Sequence, residues 1–335
     1  MPVTTKEIAK ICGVSRGSVD RALNNRPGIN TRTRDKILKT AQELGNQPDF
    51  LGKSLVTGKT MTIGVVVFDV YSRFFGQLVH AIECRAKELG YFVYLTLTDK
   101  DTEVEKQCIE HLRSRKVDGL ILFPVNKGSS FKKFIESIQS PIVTIVNKID
   151  SEMDYVGIND YKATSDAVKL LREYNHTNIV YVTTHTQTKK HLNMYAVEQR
   201  LRGFVSACKE LGIPEYSGNI IEAGDYPKVV LKKLQQPDPP TAILCSNDIY
   251  ALEIMKYLKD NGINIPNDVS LMGFDNIDAL QYIEPGLTTI SYPVEELGSR
   301  AVDILVDKIT NAGNHTAQNL LLEHKLIERN SISMI

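Results

Sequence analysis

Tryptophan is absent from the 335 residues, so any aromatic platform must be built from the 10 Phe and 14 Tyr. No apolar run approaches the roughly 18 residues that would suggest a bilayer crossing, and no charged segment followed by an apolar stretch opens the chain. Secretion and membrane spanning are therefore not expected. Cysteine is scarce, with five residues (Cys12, Cys84, Cys108, Cys208, Cys245) and no C-x-x-C. That odd, scattered set fits reduced thiols in a cytoplasm better than a disulfide framework or a zinc site. Enzyme signatures are missing too. No G-x-G-x-x-G follows the first strand, no P-loop or H-E-x-x-H occurs, and the seven histidines are dispersed without metal spacing. Neither catalysis nor a cofactor or metal is expected.

The formal net charge is zero, but the charge is unevenly placed. Residues 1–60 hold 11 Lys and Arg against five Asp and Glu, and the remainder hold 29 against 35. A basic head on an acidic body points to a nucleic-acid-binding module joined to a domain with another ligand.

The head reads as three short helices. Thr4 and Glu7 have capping-box spacing, and Ile8, Ala9 and Ile11 are expected to form an apolar face. Gly13 ends this helix, Ser15 caps a second to about Leu23, and Asn30-Thr31 opens a third with Ile37, Leu38, Ala41 and Leu44 turned inward. Helix, glycine turn, helix is the helix-turn-helix arrangement. On the second helix Val19, Ala22 and Leu23 face the bundle, leaving Arg16, Gly17, Asp20 and Arg21 on the open side. Arginine there is suited to bidentate hydrogen bonds with guanine in a major groove.

Beyond the bundle, Phe50–Thr57 is too short to be a stable helix alone, and Gly52 weakens it further. The whole stretch from "TTKEIAKICGVSRGSVDRALNN" to "GKSLVTGKT" resembles the DNA-binding head and hinge of the lactose-repressor (LacI/GalR) family. The resemblance implies base reading by Arg16, Gly17 and Arg21, and phosphate contacts by Thr5, Ser15, Ser18, Asn24 and Thr31. It also implies a hinge over 48–60 whose Leu55 is wedged into the minor groove of the operator. Asp20 and Gly52 depart from the family's common Ser and Ala.

From Thr62 onward apolar strands alternate with amphipathic helices, which predicts two doubly wound parallel sheets. Ligands of such sheets bind at the carboxyl ends of the strands. Those ends carry Asp69, Phe74-Phe75, Pro124–Asn126, Asn147, Asp160, Asn247-Asp248 and Asp275, with Arg200 and Tyr226 on later helices. Asp, Asn and Arg with Phe or Tyr is a set that binds carbohydrate hydroxyls and apolar sugar faces. Each could equally cap a helix; their convergence on one crevice is what points to a ligand.

The region "CSNDIYALEIMKYLKDNGINIPNDVSLMGFDNIDALQYIEPGLTTISYP" and its surroundings, to about Glu328, resemble the same family's effector domain, itself similar to periplasmic sugar-binding proteins. The implied ligand contacts are Phe75, Asn147, Arg200, Tyr226, Asn247 and Asp275, with Asp69, Phe74 and Asp248 beside them. The implied organisation is a head at 1–47, a hinge at 48–60, a first subdomain at 61–159 and 291–318, and a second at 160–290 and 319–330. Helix Gln77–Lys87 would form a homodimer face. The expected protein is a cytoplasmic, ligand-responsive repressor that binds pseudo-palindromic DNA, with a small sugar or polyol between the subdomains. An activator or dual regulator and a purine- or nucleoside-responsive repressor remain alternatives. A soluble sugar-binding protein is a third, and it would leave the basic head without a role.

Overall fold

The computed structural model describes residues 4–24, 26–45, 58–184, 191–214, 216–222, 224–311, 313 and 315–335. The chain forms two units, Met1–Thr60 and Met61–Ile335.

In the first unit, helices α1 (Thr5–Cys12), α2 (Arg16–Leu23) and α3 (Thr31–Glu43) begin at the predicted caps. Thr4 Oγ1 accepts from Glu7 N at 3.3 Å and the Glu7 carboxylate accepts from Thr4 N at 2.8 Å, closing the capping box. Gly13 stops α1 at φ 67°, where a side chain would be strained. The core is Ile8, Ala9, Cys12, Val19, Ala22, Ile37 and Ala41. Two residues expected inside are not: Ile11 is 57% exposed and Leu38 41%. The inward face of α1 is Ile8, Ala9 and Cys12, so Ile11 falls on its flank; Leu38 stands about 100° round the helix from Ile37.

Among the described residues the second unit contains two six-stranded sheets. The first has the order β11-β5-β4-β3-β1-β2, built from β1 (Thr62–Val67), β2 (Phe92–Leu97), β3 (Gly119–Leu122), β4 (Ile142–Ile145), β5 (Asp154–Ile158) and β11 (Asn319–Leu322). All its pairings are parallel. The second has the order β12-β10-β9-β8-β6-β7, built from β6 (Ile179–Thr183), β7 (Ile220–Glu222), β8 (Ala242–Cys245), β9 (Ser270–Asp275), β10 (Thr288–Ser291) and β12 (Lys325–Ile327). Among the described strands of this sheet only β12 runs antiparallel. The inner strands are buried along their length, as their uninterrupted apolar sequences require.

The intervening helices are α4 (Arg73–Glu88), α5 (Thr102–Ser114), α6 (Gly128–Ile138), α7 (Asp160–Glu173), α8 (Tyr195–Glu210), α9 (Tyr226–Leu234), α10 (Asp248–Asp260) and α11 (Val294–Thr310). Two close approaches need glycine. A Cβ on Gly203 of α8 would stand 2.2 Å from the Tyr161 carbonyl oxygen of α7, and one on Gly298 of α11 would stand 2.7 Å from Ala81 Cβ of α4.

The chain passes between the sheets three times, after β5, β10 and β11. One predicted boundary moves: the family resemblance puts residues 319–322 in the second subdomain, but β11 pairs with β5 in the first sheet, and only β12 returns to the second. Nothing in "QNLLLEHKLI" marks a turn strongly enough to reveal that crossing.

Candidate ligand cleft and nucleic-acid interface

On the head, Arg16, Gly17 and Arg21 are exposed on α2, with Val19 and Ala22 on its buried side. Ser15 Oγ is engaged as the cap, accepting from Ser18 N at 3.1 Å and bonded to Ser18 Oγ at 3.0 Å. Asp20 does not pair with Arg16. It accepts from Asn24 Nδ2 at 2.8 Å and from Arg26 Nη1 at 3.1 Å. That arrangement holds the acid to the end of the helix and leaves Arg16 and Arg21 outside any ion pair among the described residues. Thr5 and Thr31 are exposed first residues of α1 and α3. Leu55, and the hinge as far as residue 57, lie outside the described residues. Gly13-Val14-Ser15-Arg16-Gly17 spells G-x-S-x-G, but the Ser15 hydroxyl is engaged as the α2 cap and with Ser18 Oγ, and residues 1–60 contain no histidine.

In the second unit, a cavity of about 330 Å³ is lined by residues at the carboxyl ends of strands of both sheets. Seven of the nine predicted ligand residues line it: Asp69, Phe74, Phe75, Asn147, Arg200, Asn247 and Asp275. Two do not. Asp248 is fully buried in the first turn of α10, where it accepts from Thr289 Oγ1 at 2.6 Å and Ile277 N at 3.0 Å. Burial pushes its carboxyl up, and these bonds offset only part of the rise. Tyr226 packs its ring 4.8 Å from that of Tyr250 and donates to Glu253. It is Tyr250 that reaches the cavity.

The polar side of the cavity is organised by Arg200, which is 6% exposed. Its Nε donates to Asp160 Oδ1 at 2.7 Å and its Nη1 to the Ser246 carbonyl at 2.6 Å, with Asp275 Oδ1 at 3.5 Å. The guanidinium lies over the Phe274 ring, 3.6 Å from its centroid. Helices α7 and α8 and strands β8 and β9 thus converge on one cation. Burial raises the carboxyls of Asp160 and Asp275, and Arg200 offsets part of the rise. Asp275 has φ 113°, Asn276 φ 54° and Val146 φ 62°. Left-handed backbone at non-glycine residues costs on the order of 1–3 kcal/mol each; Val146 and Asp275 line the cavity and Asn276 follows Asp275 in the chain.

Asn147 is fixed at both ends of its amide: Nδ2 donates to the Asn193 carbonyl at 2.9 Å and Oδ1 accepts from Ala196 N at 3.1 Å. Asn247 caps α10, accepting from Tyr250 N at 2.9 Å. Asp69 Oδ1 accepts from Tyr71 N and Ser72 N at 3.0 and 3.2 Å, which fixes the turn into α4. The facing wall is aromatic: Phe68, Phe75 and Phe123 pack edge to face with centroids 4.3, 4.9 and 5.1 Å apart. Sequence reasoning misses Phe68, Lys100, Asn193 and Tyr250 as lining residues. The strand-end rule has the means to find Phe68 and Lys100, which follow β1 and β2, whereas Tyr250 reaches in from within α10 with no local signal.

A two-sheet body with a ligand-sized cleft at its strand ends, and a basic helix-turn-helix head, are the parts of a ligand-responsive DNA-binding regulator. Residues 4–49 match the family of bacterial regulatory proteins called lacI, and residues 168–332 match the periplasmic binding protein-like domain. Over 338 residues the chain is 32% identical to the HTH-type transcriptional repressor CytR of Escherichia coli K12, covering 98% of this chain and 96% of that protein. It is similar to the lac repressor dimer solved with operator and the anti-inducer ONPF, with TM-score 0.88, 23% identity, and 99% and 100% of the two chains covered. It is also similar to a LacI family regulator of Enterococcus faecium solved with ribose, with TM-score 0.70, 26% identity, and 82% and 99% covered. The chain belongs to the lacI family of bacterial transcriptional regulators and is not an enzyme. Among the described residues no helix is long and apolar enough to cross a membrane.

Proposed function

We propose that this regulator is a cytoplasmic repressor whose DNA affinity is set by a small sugar or polyol held in the cleft. The observation that carries the reading is the pairing, across one cavity, of the Arg200–Asp275–Asn147 polar side with the Phe68–Phe75–Phe123 wall. Hydroxyls match the first and the C–H face of a sugar ring matches the second. The ribose in the Enterococcus faecium relative supports this choice.

On the DNA side, Arg16 and Arg21 read base edges and Gly17 lets the helix approach closely, while Thr5, Ser15, Ser18, Asn24 and Thr31 lie against phosphates. A homodimer, with α4 and its neighbours forming the subunit face, sets two such heads on a pseudo-palindrome. Ligand in the cleft favours one arrangement of the body, and residues 48–60, with Leu55 at the operator centre, carry that preference to the heads.

Thermal shift of the full chain against pentoses, hexoses, polyols and nucleosides tests the ligand class, because a ligand selective for the folded state stabilises it by RT ln(1 + [L]/Kd). The reading expects stabilisation by a neutral sugar or polyol. A response confined to nucleosides would transfer the site to a base stacked on the aromatic wall.

A further inference from the structure

We propose that Asp20 and Arg26 form a further DNA-reading group on the head, in which Asp20 holds the Arg26 guanidinium on the open face of α2 for a guanine edge in the major groove. The inference rests on the open face of α2 meeting DNA, and it is independent of what fills the cleft. Neither residue belongs to the three-helix core, to which α2 contributes Val19 and Ala22. Asp20 lies about 40° round the helix from Arg16 and about 100° from Arg21, so it stands between the two exposed arginines.

Local contacts fix the pair. Arg26 Nη1 donates to Asp20 Oδ2 at 3.1 Å and Asn24 Nδ2 donates to Asp20 Oδ1 at 2.8 Å, so the acid is held by both oxygens. The Arg26 backbone is tied on both sides. Its N–H donates to the Arg21 carbonyl at 2.8 Å, and its carbonyl accepts from Arg34 Nη2 of α3 at 3.0 Å. The turn that follows lies against the neighbouring arginine, because a Cβ on Gly28 would stand 4.0 Å from Arg21 Cδ and Nε. The Arg26 guanidinium is thus placed beside the face that carries Arg16 and Arg21, with its side chain 52% exposed.

An ion pair this exposed contributes little to stability, so it is not what holds the head together. What it sets is geometry and charge. One N–H of the Arg26 fork is taken by Asp20, and the Nε–Nη2 edge keeps two parallel donors, the pattern that matches guanine N7 and O6. The pair is neutral, whereas Arg16 and Arg21 have no carboxylate partner among the described residues. A neutral pair gains little from a phosphate, and the Asp20 carboxylate beside it repels one. A base edge carries no net charge and is read as well by a paired arginine as by a free one.

Asp20 therefore acts as a filter on Arg26. Without it the guanidinium is a free cation that binds any phosphate, raising affinity for all DNA and lowering selectivity. With it, Arg26 contributes where a guanine meets it and little elsewhere.

The test measures binding of the full chain to a randomised duplex library and to one scrambled duplex, over a series of salt concentrations. Arg26→Ala should bind the sequence selected by the original chain about 5–150-fold more weakly and lose preference at one guanine, with the slope of log K against log[salt] unchanged. Arg26→Lys, which keeps the charge but not the fork, should lose the same preference. Asp20→Asn should steepen the slope by about 0.9, the effect of one added phosphate contact, and tighten binding to the scrambled duplex. Both side chains are about half exposed and outside the core, so these variants keep the fold of the head. Arg16→Ala and Arg21→Ala are the controls. If neither relaxes a base preference, the reading of α2 as the recognition helix fails, and this inference with it. If they do, and Arg26→Ala weakens every sequence alike and flattens the slope by about 0.9, Arg26 is a phosphate contact and the proposal alone is overturned. It is equally overturned if Arg26→Ala leaves base preference unchanged, or if Asp20→Asn alters neither slope nor preference.

Discussion

Arg21 and Arg200 show how differently one residue type is used. Arg21 stands exposed on α2 with no carboxylate partner among the described residues, so its guanidinium is available to an external acceptor. Arg21→Ala is expected to cost about 1–3 kcal/mol of operator affinity and to relax preference at one base pair. Binding to a library of operator variants checks it, and an equal loss on every sequence would instead make Arg21 a phosphate contact. Arg200 is committed to Asp160, Ser246 and Asp275 inside the fold. Removing it strands Asp160 without its counter-charge, at a cost of about 3–5 kcal/mol, so its loss would confound folding with ligand binding. Asp275→Asn keeps volume and tolerates the positive φ. It should abolish ligand-induced thermal stabilisation and leave DNA affinity in the absence of ligand within about twofold.

At this scale the sequence is a good guide where a residue's role is local. Thr4, Ser15 and Asn30 cap as their spacing requires. It misplaces Asp248 and Tyr226 because a strand-end acid or aromatic can point down into the protein as readily as out into the crevice, and only tertiary packing decides.

Among elements, the close approach of α7 and α8 is the most exacting feature. Gly203→Ala is expected to force a backbone shift costing about 1–3 kcal/mol, seen as a Tm several degrees lower in calorimetry; an unchanged Tm would show that the helix pair can separate freely. A second test concerns the segment joining α11 to β11. His315, whose side chain is 6% exposed, contacts Asp154 at 2.8 Å and Asp307 at 3.1 Å, and Lys308 joins the buried Asp154 at 2.6 Å. Burial alone would lower the His315 pKa, yet the bonds to Asp154 and Asp307 outweigh it and the net shift is upward. A group raised in the folded state stabilises fully below its unfolded value, about 6.5, and that contribution disappears as pH rises through the folded value. His315→Gln should therefore destabilise more at pH 5.5–6 than at pH 9, as measured by urea unfolding. The reverse ordering would contradict a protonated His315.

The strands that the sequence conceals lie in this same region. Inner strands β1, β3, β4, β8 and β9 are legible because burial on both faces demands continuous apolar residues. The edge strands β11 and β12 are short and partly exposed, so their pairing is decided by where the chain crosses and leaves little trace in composition.

For the whole molecule, both working parts are legible in the amino-acid order itself, through the charge asymmetry of head and body and the alternation of apolar strands with amphipathic helices. The coupling between them is not, because it depends on how two arrangements of the body differ in free energy. Coupling between sites is reciprocal: a ligand that changes DNA affinity by some factor has its own affinity changed by DNA by the same factor. The most direct measurement is fluorescence anisotropy of the gene's own upstream DNA titrated with the full chain, with and without the sugar or polyol selected by thermal shift, in the original sequence and in Asp275→Asn. The account predicts a ligand-dependent change in DNA affinity of about 5–150-fold that disappears in Asp275→Asn. DNA affinity indifferent to a ligand that demonstrably fills the cleft would contradict it.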